Sequence, residues 1–281
     1  MERFSTVSRD DLTFCLQQLR IQARDGYLAS LLVPDPHRDA VTVLQALHAE
    51  IVGIALAAPE PLAGEIRLQW WIEVLERKRD DEAAQNPLAR ALLSVLTKAE
   101  LPAKPLISKC EAHIFDLYSD PMRETSVLEA YFGETRSVLF QLSCMAVDEA
   151  SATKASDASG HAGVATGCVA LLEHLARHRV QQRLFIPSDI LQHRGLSRDA
   201  FFEDVGEAQA SAVQDIANMA LEHHGRAASA LDALPSVLKP IFAPLALVPL
   251  YAKRAAKHPQ DTLAGLPDMP QWRVQWALFR W

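Results

Sequence analysis

Two histidines, His174 and His178, stand four residues apart in the run EHLARHRV. On a helix that spacing puts both rings on one face, a geometry that can bind Zn²⁺. No third donor is evident, and Arg177 and Arg179 beside the rings oppose a cation. The competing reading is an ordinary pair on a basic helix end, where cations complement the helix dipole. Arg177, Arg179 and Arg183 also read two ways. Arginine grips phosphate through paired N–H donors, so the three could cradle an anion without metal. Alternatively they form the solvated end of that helix. Glu173 precedes His174, and Glu50 lies far upstream in HAEIVGIA. The two acids could cooperate as a weakened metal site, or each could be a buried glutamate paired with an arginine or histidine. No G-x-S-x-G, P-loop or G-x-G-x-x-G pattern is present.

Helices must position these groups. Leu12, Leu16, Leu19, Ala23, Tyr27 and Leu31 recur at helical spacing over 9–33, and Pro34 and Pro36 end that run. The next helix, 37–58, is apolar on most sides, as a central bundle helix should be. It reads as a buried helix and not a transmembrane span, since it carries Asp39, His48 and Glu50. Further helices are expected at about 62–80, 87–99, 106–119 and 124–148. Residues 149–162, small and polar, read as an exposed loop. The helix bearing His174 follows to about Arg179, then others near 197, over 205–232 and over 244–257. Of the adjacent Trp70 and Trp71, Trp70 is expected in the core. Trp272, Trp276 and Phe279 share a helical face whose default reading is core closure, with a partner site or membrane-surface anchor as alternatives.

Composition agrees with an all-helical protein. The chain has 281 residues, 49% hydrophobic and 22% charged, with only 11 glycines. That length suits one large core or two domains; one domain over 1–281 is the expectation. A net charge of −7 argues against nucleic acid as a partner. Four scattered cysteines read as buried thiols in a reducing compartment. No signal peptide is expected, because residues 1–11 are polar where an apolar core would begin.

Three segments resemble the squalene/phytoene synthase family. Residues 24–55 resemble its opening: a helix bearing a tyrosine (Tyr27), then an arginine (Arg38), then a central helix. LAGEIRLQWWIEVLE at 62–76 resembles the following helix. GVATGCVALLEHLARHRVQQRLFIPSDIL at 163–191 resembles the second metal-motif region. The resemblance implies an all-α, isoprenoid synthase-like bundle with a central cavity, and it implies ligand contacts at Tyr27, Arg38, Arg177, Arg179 and Arg183. Enzymes of the family hold a prenyl diphosphate through Mg²⁺ and paired aspartates, and Mg²⁺ favours such oxygen ligands. Here the first motif position reads His48-Ala49-Glu50, with no acid three or four residues on. The second reads Glu173-His174-Leu175-Ala176-Arg177-His178. The motif positions Glu50, Glu173, His174 and His178 are therefore degenerate.

Loss of the aspartates resembles a subgroup that includes a mitochondrial assembly factor for respiratory complex I. Glu134-Thr135-Arg136-Ser137 and LFIPSDILQHRGLSRDAF resemble that subgroup as well. The resemblance implies a non-catalytic assembly or isoprenoid/lipid-binding factor, with a prenyl diphosphate, an anionic lipid or membrane-complex subunits as partners. No cofactor or resident metal is then expected. The alternative is an active head-to-head prenyltransferase condensing two prenyl diphosphates, with Mg²⁺ as cofactor. The implied location is the cytoplasm, or the matrix side in a mitochondrion, with peripheral membrane attachment as a variant.

Overall fold

The computed structural model describes residues 7–58, 60–118 and 120–281. Among these every regular element is helical. The helices are α1 (Arg9–Gln22), α2 (Arg24–Ser30), α3 (Arg38–Ala57), α4 (Pro61–Leu75), α5 (Asp80–Ala83), α6 (Pro87–Lys98), α7 (Lys104–Ala112), α8 (Thr125–Phe132) and α9 (Val138–Val147). They continue as α10 (Glu149–Ala152), α11 (Ser156–Val180), α12 (Ser188–His193), α13 (Arg198–Glu203), α14 (Glu207–Leu231), α15 (Val248–Lys257), α16 (Pro259–Ala264) and α17 (Gln271–Phe279). The chain divides into two compact units. Of the described residues, unit 1 holds 7–58, 60–117, 138–156 and 233–243; unit 2 holds 118, 120–137, 157–232 and 244–281.

In unit 1, α3 is the central helix. Val43, Leu44, Leu47, Ile51 and Ile54 are fully buried along it, and α1, α2, α4, α6 and α9 pack on it. It is the one described helix long and apolar enough to cross a membrane, with a mean hydropathy of 1.7, but 56% of that window is buried in protein. Its apolar surface is thus accounted for by the core. Ser8 caps α1 by accepting from the Asp11 N–H at 3.1 Å. Asp11 in turn takes two hydrogen bonds from Arg90 of α6, at 3.1 and 2.5 Å. Asn86 caps α6 and Pro87 opens it, as expected where N–H groups lack helical partners. The 9–33 run is two helices, because Ala23 leaves the helical region (φ −145°, ψ 64°). Trp71, not Trp70, fills the core: Trp71 is 2% exposed, while the Trp70 indole donates to Glu82 Oε2 at 2.8 Å.

Residues 149–162 are helical rather than a loop. They form α10, a 3-10 turn over Thr153–Ala155 and the first turns of α11. Ala152, Ala155, Ala158, Ser159 and Ala162 are buried. Their three-to-four spacing is a packing stripe with so little bulk that it resembles a turn-rich segment. In unit 2 the same smallness continues into α11. A methyl on Gly163 would lie 2.4 Å from the Ser137 backbone nitrogen, and one on Gly167 would lie 2.4 Å from the Phe132 ring. These glycines let α11 approach the segment Gly133–Ser137, one π-helical turn following α8. Such turns frequently mark functional positions.

The tail aromatics do not close the core. In α17 the buried residues are Val274 and Leu278. Trp272, Trp276 and Phe279 are 69%, 56% and 79% exposed.

Candidate functional site

In unit 1, His48 and Glu50 of α3 each meet a basic side chain. His48 Nδ1 lies 3.0 Å from the Lys109 amino group of α7. Lys109 has no solvent exposure, and it also meets His113 Nε2 at 3.0 Å. His113 Nδ1 lies 2.6 Å from Asp116 Oδ2. The carboxylate accepts, so His113 carries its proton on Nδ1 and presents Nε2 as the acceptor for Lys109. The chain Asp116–His113–Lys109–His48 is a polar network that satisfies a buried lysine, and buried polar groups persist only when satisfied in this way. Two residues on from His48, Glu50 Oε1 accepts from Arg67 of α4 at 3.0 Å. The glutamate-with-arginine reading thus describes Glu50, although the pair is partly solvent-exposed.

Tyr27 is half-buried against the unit 1 core. The Arg38 guanidinium turns back on its own approach segment, where Nε donates to the Val33 carbonyl at 2.9 Å and another nitrogen lies 3.5 Å from Asp35.

In unit 2, α11 carries Glu173, His174, Arg177 and His178, the residues expected at the second motif position. Glu173 and Arg177 face solvent, and His178 is 9% exposed. The His174 and His178 rings meet edge to face, with centroids 6.0 Å apart. His178 also packs on Phe185, centroids 4.7 Å apart. Burial, joined by the charges of Arg136 and Arg177, pushes the His174 imidazole down to about 4. It is therefore neutral at physiological pH. Arg136 stands in the π-helical turn, so that insertion places a guanidinium near α11. Arg179 hydrogen-bonds main-chain carbonyls of Asp204 (2.8 Å), Phe202 (3.3 Å) and Leu263 (3.4 Å), and its guanidinium lies 5.6 Å from the Phe201 ring centre. Gln182 takes a left-handed conformation (φ 57°) that ends α11, and the Arg183 N–H closes the turn on the His178 carbonyl at 2.9 Å.

A further histidine pair escapes sequence reasoning. His161 Nδ1 and His223 Nδ1 lie 3.0 Å apart, and His223 Nε2 is 3.3 Å from Glu129 Oε1. Burial pushes His223 down, against the opposing pull of Glu129. The two histidines are 62 positions apart, so no spacing signals them. Lys109 and His113, at i and i+4, were legible in principle as one helical face, whereas Asp116 joins them from a 3-10 turn over Phe115–Leu117, after α7 has ended. Among the described residues no group of three His, Cys, Asp or Glu side chains is arranged to hold a metal ion.

The squalene/phytoene synthase family model matches residues 19–280. The chain belongs to the squalene/phytoene synthase family. Curated relatives are "NADH dehydrogenase (ubiquinone) complex I, assembly factor 6" of Bos taurus, 27% identical over 86% of this chain and 72% of the relative, and the protein of that name from Homo sapiens, 27% identical over 82% and 69%. A homologue from Dictyostelium discoideum is 19% identical over 88% and 70%. Among solved structures, a dehydrosqualene synthase superposes with a TM-score of 0.79 at 12% identity, over 97% of this chain and 95% of that one. Squalene synthase HpnC from Alicyclobacillus acidocaldarius gives 0.70 at 18% identity, over 92% and 96%. The family's isoprenoid synthase-like helical fold is thus the fold of this chain.

Proposed function

We propose that this family member is a non-catalytic assembly factor for a membrane-bound NADH dehydrogenase complex. One observation carries the reading. At both motif positions the protein's own basic side chains stand beside the residues that would have to hold a metal-bound diphosphate. Arg67 pairs with Glu50, Lys109 bonds His48, and burial, reinforced by the charges of Arg136 and Arg177, holds His174 neutral. This donor set does not fit Mg²⁺, which takes oxygen ligands and pairs with carboxylates. The names of the relatives, matched over most of the chain, support the same reading. An anionic isoprenoid or lipid remains a fitting ligand for the α11 region, where Arg177 faces solvent and arginine suits phosphate.

The test is direct. Purified protein is incubated with radiolabelled farnesyl and geranylgeranyl diphosphate, Mg²⁺ and NADPH, and released pyrophosphate is counted. The expected release equals that of a heat-killed control; release above it overturns the proposal. In the host organism, deletion of the gene should lower membrane NADH dehydrogenase activity and assembled complex. Unchanged complex would count against the assembly role.

A further inference from the structure

Helix α17 has its apolar residues on two faces. Val274 and Leu278 anchor it to unit 2. The opposite side carries Trp272, Trp276 and Phe279, with Trp281 just beyond and 42% exposed. Trp276 and Phe279 stack with ring centres 5.9 Å apart, so the exposed rings form a continuous apolar ridge. Large exposed apolar clusters of this kind mark contact surfaces, since folding alone would bury them. A pocket of about 600 Å³ lies beside the ridge, lined by Trp272, Arg273, Trp276, Arg280, Leu250 and His224.

Charge says what covers the ridge. The helix sequence QWRVQWALF contains no acid. Within residues 244–281, Lys253, Arg254, Lys257, Arg273 and Arg280 stand against only Asp261 and Asp268, in a chain whose net charge is −7. An anionic surface therefore repels the molecule as a whole and attracts this segment. Indole rings beside guanidinium groups are the side chains that settle at the boundary between lipid headgroups and acyl chains.

We propose that the α17 face docks on an anionic lipid bilayer, with Trp272, Trp276 and Phe279 entering the headgroup region and Arg273 and Arg280 meeting lipid phosphates. The inference stands on α17 and is independent of the assembly role, so either can fail alone.

Flotation of the full chain with vesicles tests it. Vesicles of equal parts phosphatidylcholine and phosphatidylglycerol should bind the protein roughly tenfold more than phosphatidylcholine alone, since each basic residue near an anionic surface adds attraction. The triple variant Trp272→Ala, Trp276→Ala, Phe279→Ala should lose at least about tenfold in binding with its melting curve unchanged, because the removed rings are exposed. Arg273→Gln with Arg280→Gln should erase the preference for anionic vesicles. Absence of wild-type flotation, or full flotation by a folded triple variant, overturns the proposal. A reading on the wild type needs no variant: acyl-chain-brominated phosphatidylglycerol vesicles should quench part of the tryptophan emission, and unquenched emission overturns it as well. If sedimentation instead shows a dimer that the triple variant disperses, without flotation, the ridge joins two copies and the bilayer proposal fails.

Discussion

Lys109 of α7 and His48 of α3, 61 positions apart in sequence, meet at 3.0 Å with the lysine wholly buried. The contact cross-links two core helices through a polar group. Lys109→Ala leaves two rings without their donor and opens a cavity, so it should destabilise unit 1 by about 3–4 kcal/mol. Lys109→Met keeps most of the volume and should lose only about 1–2 kcal/mol. Urea unfolding of the two variants separates the terms; equal losses would show that hydrogen bonding, not volume, matters there.

His174 makes stability depend on pH. Its imidazole is ordinarily half-protonated near 6.5 and in the native state near 4, owing to burial and then to Arg136 and Arg177. Above the upper value both states are neutral and the group contributes nothing. Between the two values the unfolded chain takes up a proton that the native state refuses, so stability falls as pH drops. By about pH 5 the loss should reach about 2 kcal/mol. His223 and His224 are depressed mainly by burial and act in the same direction. His174→Gln should flatten its share of the slope when urea midpoints near pH 7 and pH 5 are compared. A variant as acid-sensitive as the wild type would remove His174 from the explanation.

Gly163 and Gly160 lie three residues apart on α11 with opposite expectations. A methyl on Gly163 would sit 2.0 Å from Ser137 Oγ and 2.4 Å from its backbone nitrogen, whereas one on Gly160 meets nothing within 4 Å. Gly163→Ala should destabilise by about 2–3 kcal/mol through overpacking against main chain. Gly160→Ala should be neutral or stabilise by up to about 1 kcal/mol, because alanine loses less backbone freedom in a helix. Thermal melts of the two proteins should shift in opposite directions, or at least differ by several degrees.

All four cysteines are buried, and burial pushes the thiols of Cys15, Cys110 and Cys168 up to about 12. Thiolate is the reactive form. A chromogenic disulfide reagent should therefore find almost no thiol in the native protein and four after denaturation. Rapid labelling of a native cysteine would show an opening motion that the packed helices do not imply.

The helical architecture was legible because its signals are local. Pro34 and Pro36 separate α2 from α3 and Pro61 opens α4, and the apolar run of α3 is long enough to demand burial. The order of the tyrosine-bearing opening, the tryptophan helix and the 163–191 stretch carried the family, which the match over 19–280 bears out. Small residues defeated the same reading. Alanine and serine at 149–162 pack by permitting close approach, and a pattern search registers bulk, not proximity. Trp70, expected in the core, packs against it only partly buried, and Trp71 takes the buried place, since neighbouring positions on a helix differ by about 100° and only the packed neighbour decides which turns fully inward.

What the sequence by itself determined is the set of groups available: Glu50 and Glu173, the basic residues around His174, and the aromatics of 272–281. What only tertiary structure decided is who meets whom. The pairing of His48 with Lys109, of Glu50 with Arg67 and of His161 with His223 joins residues 61, 17 and 62 positions apart. Such pairings depend on chain closure and core packing, and no local spacing encodes them. The exposure of Trp272, Trp276 and Phe279 was settled the same way, because Val274 and Leu278 on the other side of α17 took the places in the core.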